Sequence, residues 1–424
     1  MLTPFLLTNR RKGVILFTMQ IKNIDLYLNS PLYKEFLGHF KNRLDLLIPI
    51  AKSVSHSEDI EKYEYWSDGH MWTVFDGKTF KLTVNDDHSY HCFFDKTSGL
   101  NIRFGETLGD DPEYCGLGPE ILDLEIATGG CVPVKGTSNC HYCYKNNTNA
   151  PATNMSFETF KAIVDRFPKN LSQIAFGITG LQTNPDLERM FKYCRKIGIV
   201  PNVTTVGADM NDKMLDVLAE NCGAVAVSCY TGAKALCYET IAKIHQRAKD
   251  KFNKNLHVNM HIVLSKDNLS HVKEVLQDIA DKKVPDLNAV VFLRIKPKGR
   301  ASKMDCQVPK EIYSDILSFC FEKDIPFGFD SCSATPVIEV LKDFEKENLC
   351  DNCEPCESSK FSSYINVKGE YWSCSFTEGL YDFIKPINVL DYGPVTEWWN
   401  SDEIKKVRNC QNPACKSCPV FNLD

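Results

Sequence analysis

Between residues 119 and 325 short apolar runs alternate with longer stretches of helical periodicity, and the alternation repeats six times. The runs fall at 122–127, 173–178, 199–205, 224–229, 256–264 and 288–293. Each leads into an amphipathic stretch. Residues 155–167 put Phe160, Ile163, Val164 and Phe167 on one face and stop at Pro168; residues 269–282 turn Leu269, Val272, Val275, Leu276 and Ile279 inward. The second helix opens at Asn184-Pro185-Asp186, repeats Leu187, Met190, Phe191 and Cys194, and closes at Gly198; further helices are expected over 211–222, 233–251 and 309–322. Strands this short and this apolar, separated by helices, are buried on both faces only in a parallel sheet with right-handed crossovers. The expected class is α/β, with any ligand at the carboxyl ends of the strands.

Three thiols sit at that end of the first strand. Cys131, Cys140 and Cys143 lie on one loop, with Gly129, Gly130 and Gly136 supplying permissive backbone to bring Cys131 back to the other two. Three soft ligands suit a 4Fe-4S cubane with one iron left open; a zinc loop and three buried thiols are the plainer alternatives. A second thiol region comes later in the chain with Cys332, Cys350, Cys353, Cys356, Cys374, Cys410, Cys415 and Cys418. The spacing Cys350-x2-Cys353-x2-Cys356 is three-quarters of a ferredoxin ligand run, whereas Cys353, Cys356, Cys415 and Cys418 would equally make a zinc ribbon. Eight thiols exceed what one tetrahedral zinc needs, which favours clusters. Cysteines 92, 115, 194, 222, 229, 237, 306 and 320 stand apart and are expected as small buried apolar groups.

Nineteen cysteines with no secretory leader fit a reducing cytoplasm better than a disulfide framework. The opening segment carries Arg10, Arg11 and Lys12 after its apolar stretch, the reverse of a signal peptide, and Met19 is an alternative start. No stretch is long and apolar enough to span a bilayer. The formal charge of -6 makes nucleic acid a less favoured partner. Residues 1–118 read as a small α+β module: a helical segment at 32–54, then short strands with turns at Ser67-Asp68-Gly69, Asp76-Gly77 and Asn85-Asp86-Asp87. Its simplest role is to cap one end of the next domain, its alternative to recognise substrate.

The run Cys140-His141-Tyr142-Cys143 resembles the second half of the cluster motif of the radical S-adenosylmethionine (SAM) enzymes, C-x3-C-x-aromatic-C. The first half departs, with Gly136 at the usual first cysteine and Cys131 displaced upstream. The resemblance implies a partial (β/α)6 TIM-like barrel over 119–325, followed at 326–424 by a Cys-rich auxiliary-cluster domain. Cys356-x12-Gly369-x4-Cys374, with a hairpin around Lys368-Gly369, looks like the opening of the SPASM extension, and Cys415-x2-Cys418 like its close. Where the family has Gly-Gly-Glu-Pro for the SAM amino group, this chain has Gly177-Ile178-Thr179-Gly180-Leu181-Gln182; Gln182 stands in for the acid, leaving backbone carbonyls or a one-residue shift to do its work. Tyr142, Gly180, Gln182, Thr205 and Ser228 are the implied cofactor contacts. Asn259 and His261 alternate on the fifth strand and face the barrel interior, as SAM contacts or satisfied core groups. Arg300, in Lys296-Pro297-Lys298-Gly299-Arg300, is a candidate for an anionic substrate group or a solvated charge.

The resemblance further implies an oxidoreductase or maturase that reductively cleaves SAM at a 4Fe-4S cluster to a 5'-deoxyadenosyl radical, which takes hydrogen from a substrate. One or two auxiliary 4Fe-4S clusters would accept an electron, favouring oxidation or cross-linking of a peptide or protein. A low-potential donor of flavodoxin or ferredoxin type is the implied electron source. Two rivals remain: the same core acting on a nucleotide, nucleic acid or small molecule, and a non-enzymatic iron-sulfur or zinc protein.

Overall fold

A computed structural model describes residues 5–7, 60–106, 112–134, 140–353, 356–380, 385–410, 418 and 420. The helical segment expected at 32–54, Met19, Gly136, Cys415 and the Cys410 side chain lie outside the described residues.

The N-terminal module is a five-stranded antiparallel meander: β1 (Ile60–Ser67), β2 (His70–Gly77), β3 (Phe80–Asn85), β4 (His91–Asp95) and β5 (Asn101–Phe104). Its turns fall where the Gly and Asp signals place them, with Asp68 and Gly69 both at positive φ. Buried Lys81 fastens this sheet to the core by donating to the carbonyls of Lys169 and Leu171 at 2.8 and 2.7 Å. Burial in turn drives that ammonium down to about 7.

The core runs β6 (Ile121–Glu125), α1 (Phe157–Val164), β7 (Gln173–Gly177), α2 (Leu187–Lys196), β8 (Val200–Thr205), α3 (Asp212–Asn221), β9 (Ala224–Ser228), α4 (Lys234–Phe252), β10 (His257–Leu264), α5 (Leu269–Ala280), β11 (Ala289–Arg294) and α6 (Lys310–Glu322). All six strands are parallel and neighbours in sequence order. Two strands beyond residue 325 extend the sheet: β12 (Phe327–Phe329) joins β11, and β13 (Ser362–Ile365) joins β6, both parallel. The chain then turns at Gly369 (φ +81) into β14 (Glu370–Trp372), as the hairpin reading expects. A short strand at Phe5–Leu7 pairs antiparallel with β12. The result is the partial barrel of an α/β fold.

Packing obeys the sequence pattern. Ile174 and Phe176 of β7 are fully buried, and the Phe176 ring meets Phe160 at 5.9 Å and Phe191 at 4.8 Å. Asn211 caps α3 by accepting from Met214 N, and Ser156 caps α1 from Thr159 N. The Asn184-Pro185-Asp186 segment works differently from a simple cap of α2. Asn184 Nδ2 donates to the carbonyls of Ile126 and Met155, and Asp186 accepts from Phe157 N at the start of α1. The eight cysteines expected as buried apolar groups are all buried.

Candidate cofactor site and substrate cavity

Strand β6 ends in an extension that ties down the thiol loop. Gly130 N donates to Ala150 O at 2.6 Å and Cys131 N to Thr148 O at 2.9 Å, while Ala127 and Thr128 pair with Asn154 and Thr153. Gly129 and Gly130 have φ of +75 and +58, and a Cβ on Gly130 would lie 2.9 Å from the Ala152 Cβ. That zipper returns Cys131 to its partners. Burial pushes the Cys131 thiol up, and the adjacent Cys140 and Cys143 push it further.

The far side of the loop is clamped from the turn after β11. Arg300 donates from its backbone N to Cys143 O (3.0 Å), from Nε to Cys140 O (2.7 Å) and from Nη1 to Asn147 O (2.9 Å). Gly299, at φ +60, packs so tightly that any Cβ would collide with the Tyr144 carbonyl. Arg300 thus holds the loop carrying the thiols and also lines the cavity. Five guanidinium donors in a fixed fork make it suited to several carbonyls at once.

Cys131, Cys140 and Cys143 open on a single cavity of about 470 Å³ at the carboxyl ends of the strands. Tyr142, Gly180, Thr205, Ser228 and His261 line it as expected. His261 is 7 % exposed, and burial holds its imidazole down at about 4, so it is neutral. Its Nδ1 has no hydrogen-bond partner among the described residues. Two candidates face elsewhere. Asn259 accepts from Asn288 Nδ2 (2.7 Å) in a polar belt at the amino ends of the strands, two residues too early to reach the cavity. Gln182 turns its amide to Asp209 O (2.6 Å), away from the cavity, and its N–H donates to Asp209 Oδ2 (2.9 Å). The carboxylate at this turn is therefore that of Asp209, whose buried Oδ1 has no partner among the described residues.

Sequence reasoning passes over the opposite wall. Lys145 pairs with Glu125 (2.9 Å) and Glu378, and donates to the Tyr364 hydroxyl (2.9 Å). Lys296 forms a buried pair with Asp330, which outweighs the burial penalty and raises the lysine above its ordinary value. Its Nζ lies 4.6 Å from the Phe376 ring centroid, and Phe376 packs on Tyr144 at 4.7 Å. The signal was adjacency: Tyr144 comes directly after Cys143, and Ser375 and Phe376 directly after Cys374, so the second thiol region borders the same cavity. Burial pushes the Cys332 thiol well up, Lys296 opposes it, and Asp330, Cys356 and Cys374 add to it. Cys356 and Cys374 are thus near enough to Cys332 to act on it electrostatically. Cys350 and Cys353 lie beside the carbonyls of Ile338 and Leu349, at 4.0 and 3.8 Å. Cys418 is half-buried.

Residues 134–279, within the barrel, match the family model of the radical SAM superfamily. Members of this family use a 4Fe-4S cluster and SAM. The match starts just after Cys131, where the motif departs from the usual spacing. Among solved structures the chain resembles SuiB of Streptococcus suis (11 % identity, TM-score 0.55, covering 77 % of this chain and 90 % of that one). It also resembles SuiB bound to its precursor peptide SuiA (11 % identity, TM-score 0.51, 69 % and 67 %). Native anSMEcpe with bound AdoMet matches at 17 % identity and TM-score 0.47, covering 68 % and 82 %. No curated protein matches the sequence. No helix among the described residues is long and apolar enough to cross a membrane.

The residues present fit the family's cofactors. Three thiols share one cavity, and unpartnered polar atoms of His261 and Asp209, with no partner among the described residues, stand in or beside it.

Proposed function

We propose that the chain is a radical SAM enzyme that oxidatively modifies or cross-links a peptide or protein. The carrying observation is the meeting of both thiol regions on one cavity: Cys131, Cys140 and Cys143 on one wall, and the Ser375 and Phe376 neighbours of Cys374 on the other. Cys131, Cys140 and Cys143 would hold the SAM-binding cluster, and Cys332, Cys356 and Cys374 would contribute to an auxiliary one. When bound, these groups supply one-electron cleavage of the sulfonium and a sink for the electron left on the substrate.

The chain's own residues do the rest. Arg300 and the paired strand extension fix the loop, and Asp209 presents its carboxylate at the turn after β7, the place for an ammonium. His261 stays neutral and offers a hydrogen-bonding nitrogen inside the barrel. Lys145 pairs with Glu125 and Glu378, and Lys296 with Asp330, so both ammonium groups at the substrate end are matched by carboxylates. A peptide substrate is supported by the fold shared with SuiB, which has been seen bound to a precursor peptide. A low-potential flavodoxin or ferredoxin would deliver the electron.

Anoxic reconstitution tests this reading. The protein should take up iron, and with dithionite and SAM release 5'-deoxyadenosine; co-expressed candidate precursor peptides should show a mass change. Zinc without iron in anoxically purified protein, or no 5'-deoxyadenosine from a fully loaded sample, would sink it.

A further inference from the structure

The turn after β11, Lys296-Pro297-Lys298-Gly299-Arg300, carries a cation at every second residue, and each cation reaches a different stretch of chain that bears a thiol. Arg300 grips the carbonyls of Cys140 and Asn147. Lys298 Nζ donates to the carbonyls of Ser375 and Glu378 at 3.0 and 2.7 Å, so it holds the chain directly after Cys374. Lys296 pairs with Asp330, whose Oδ1 accepts from Ser333 Oγ at 2.8 Å across the turn that carries Cys332.

The turn itself is closed and packed. Lys298 N donates to Lys296 O (2.7 Å), Ala301 N to Lys298 O (3.1 Å) and Ser302 N to Gly299 O (3.2 Å). Fully buried Ala301 joins Ile295 and Cys306 in a small apolar cluster against which Tyr142 of the thiol loop packs, and Gly299 lies against the carbonyls of Cys143 and Tyr144. The Cys374 segment is a closed turn too: Cys374 N donates to Thr377 Oγ1 (3.2 Å) and Thr377 N to Cys374 O (3.1 Å). It meets the thiol loop through side chains, Phe376 on Tyr144 and Glu378 with Lys145. Those contacts leave its backbone unheld, whereas Lys298 takes two of its carbonyls.

We infer that the turn at 296–300 is a brace that sets the spacing between the two thiol regions, with Lys298 the positioning residue for Cys374. An ammonium has three donors, so one side chain can hold both carbonyls, and each bond is stronger for carrying a charge. Lys298 does not line the cavity; it acts through the backbone beside a thiol. Because Arg300 sits two residues away on the same turn, the segment after Cys374 and the loop of Cys140 and Cys143 are referred to one rigid piece.

That these thiols hold clusters rests on the proposed function; that Lys298 holds the Cys374 segment does not, and the test keeps the two apart. Metal-free protein, anoxic and reduced, is alkylated with iodoacetamide while the rate at each cysteine is followed by peptide mass spectrometry. Lys298→Met should raise the rate at Cys374 about tenfold, since two charged hydrogen bonds are lost, and leave Cys131, Cys140 and Cys143 within about twofold of wild type. Lys298→Arg should restore most of the protection, because a guanidinium keeps the charge and has donors for both carbonyls. In iron-loaded, reduced protein, pulsed electron paramagnetic resonance should show the magnetic interaction between the two regions' clusters broadened by Lys298→Met and sharpened again by Lys298→Arg. A Cys374 rate unchanged in Lys298→Met, a rise shared equally by all four thiols, or an interaction between loaded clusters that Lys298→Met leaves unaltered overturns the inference. Wild type that takes up no iron sinks the functional reading and leaves alkylation to judge the brace. Should Lys298→Met not fold, Lys298→Gln, which keeps a donor for one carbonyl, must show the same selective rise in smaller measure.

Discussion

The loop of Cys131, Cys140 and Cys143 opens on the cavity directly, whereas the group of Cys332, Cys356 and Cys374 borders it only through Ser375 and Phe376, and the two are built differently. The first is local: a single loop whose ends are paired by backbone hydrogen bonds and whose middle is gripped by Arg300. The second comes from three places, the turn after β12, the approach to β13 and the exit from β14. It exists only once β12 has joined β11 and β13 has joined β6. A locally built ligand set tolerates change elsewhere, whereas one assembled by the sheet inherits every fault of the sheet.

The sharpest break of this comparison is a pair of ligand substitutions. Cys140→Ser should abolish 5'-deoxyadenosine release and remove the loop's iron while leaving the C-terminal iron; Cys374→Ser should do the reverse, keeping SAM cleavage. Iron counting and electron paramagnetic resonance on both proteins check this, and loss of all iron in either would erase the distinction. Next in size is Arg300→Ala, which keeps the backbone donor to Cys143 O but removes the two side-chain donors to the loop's carbonyls, each charged hydrogen bond being worth about 1.5–3 kcal/mol. Iron in the loop should fall severalfold at unchanged C-terminal iron, with Arg300→Lys rescuing only in part because a point charge does not reach both of the carbonyls that the guanidinium holds.

A smaller effect concerns His261. Its imidazole titrates at about 4 in the fold against 6.5 when exposed, so between those values the unfolded chain binds a proton that the folded one refuses. Stability should therefore fall as pH drops from 6.5 towards 4, by roughly 2 kcal/mol at pH 5. Anoxic urea denaturation of wild type and His261→Gln at pH 7 and pH 5 measures it; equal pH dependence in the two would refute the assignment. Smallest is Asp209→Asn, which should weaken SAM binding about tenfold, or 1.4 kcal/mol. Gln182→Ala should change it little, since that amide faces Asp209 O. Equilibrium dialysis of SAM with reconstituted proteins distinguishes the two.

Most of the barrel is legible because its strands and helices repeat at the periods burial demands. All six core strands and the helices between them fall within a few residues of the expected bounds. Strand β12 escapes because three residues, Phe-Gly-Phe, carry no period. Strand β13 escapes for a different reason: Ser362 and Ser363 look like loop, and only partnership with β6 makes them strand. In the site, Cys131, Cys140, Cys143, Ser228 and His261 are legible from spacing and alternation. Gln182 and Asn259 mislead because a chemical type at a motif position says nothing of where its amide finds a partner. Arg300 and Asp209 act through backbone groups far away in sequence, which no local pattern reveals.

The union of β13 with β6 carries a consequence for biosynthesis. Until the ribosome has released the chain past Ile365, the opening strand of the barrel has a bare flank of amides and carbonyls, an invitation to stick to a neighbouring copy. A fragment cut at residue 325 would keep that flank permanently, and should precipitate where the full-length protein stays dispersed.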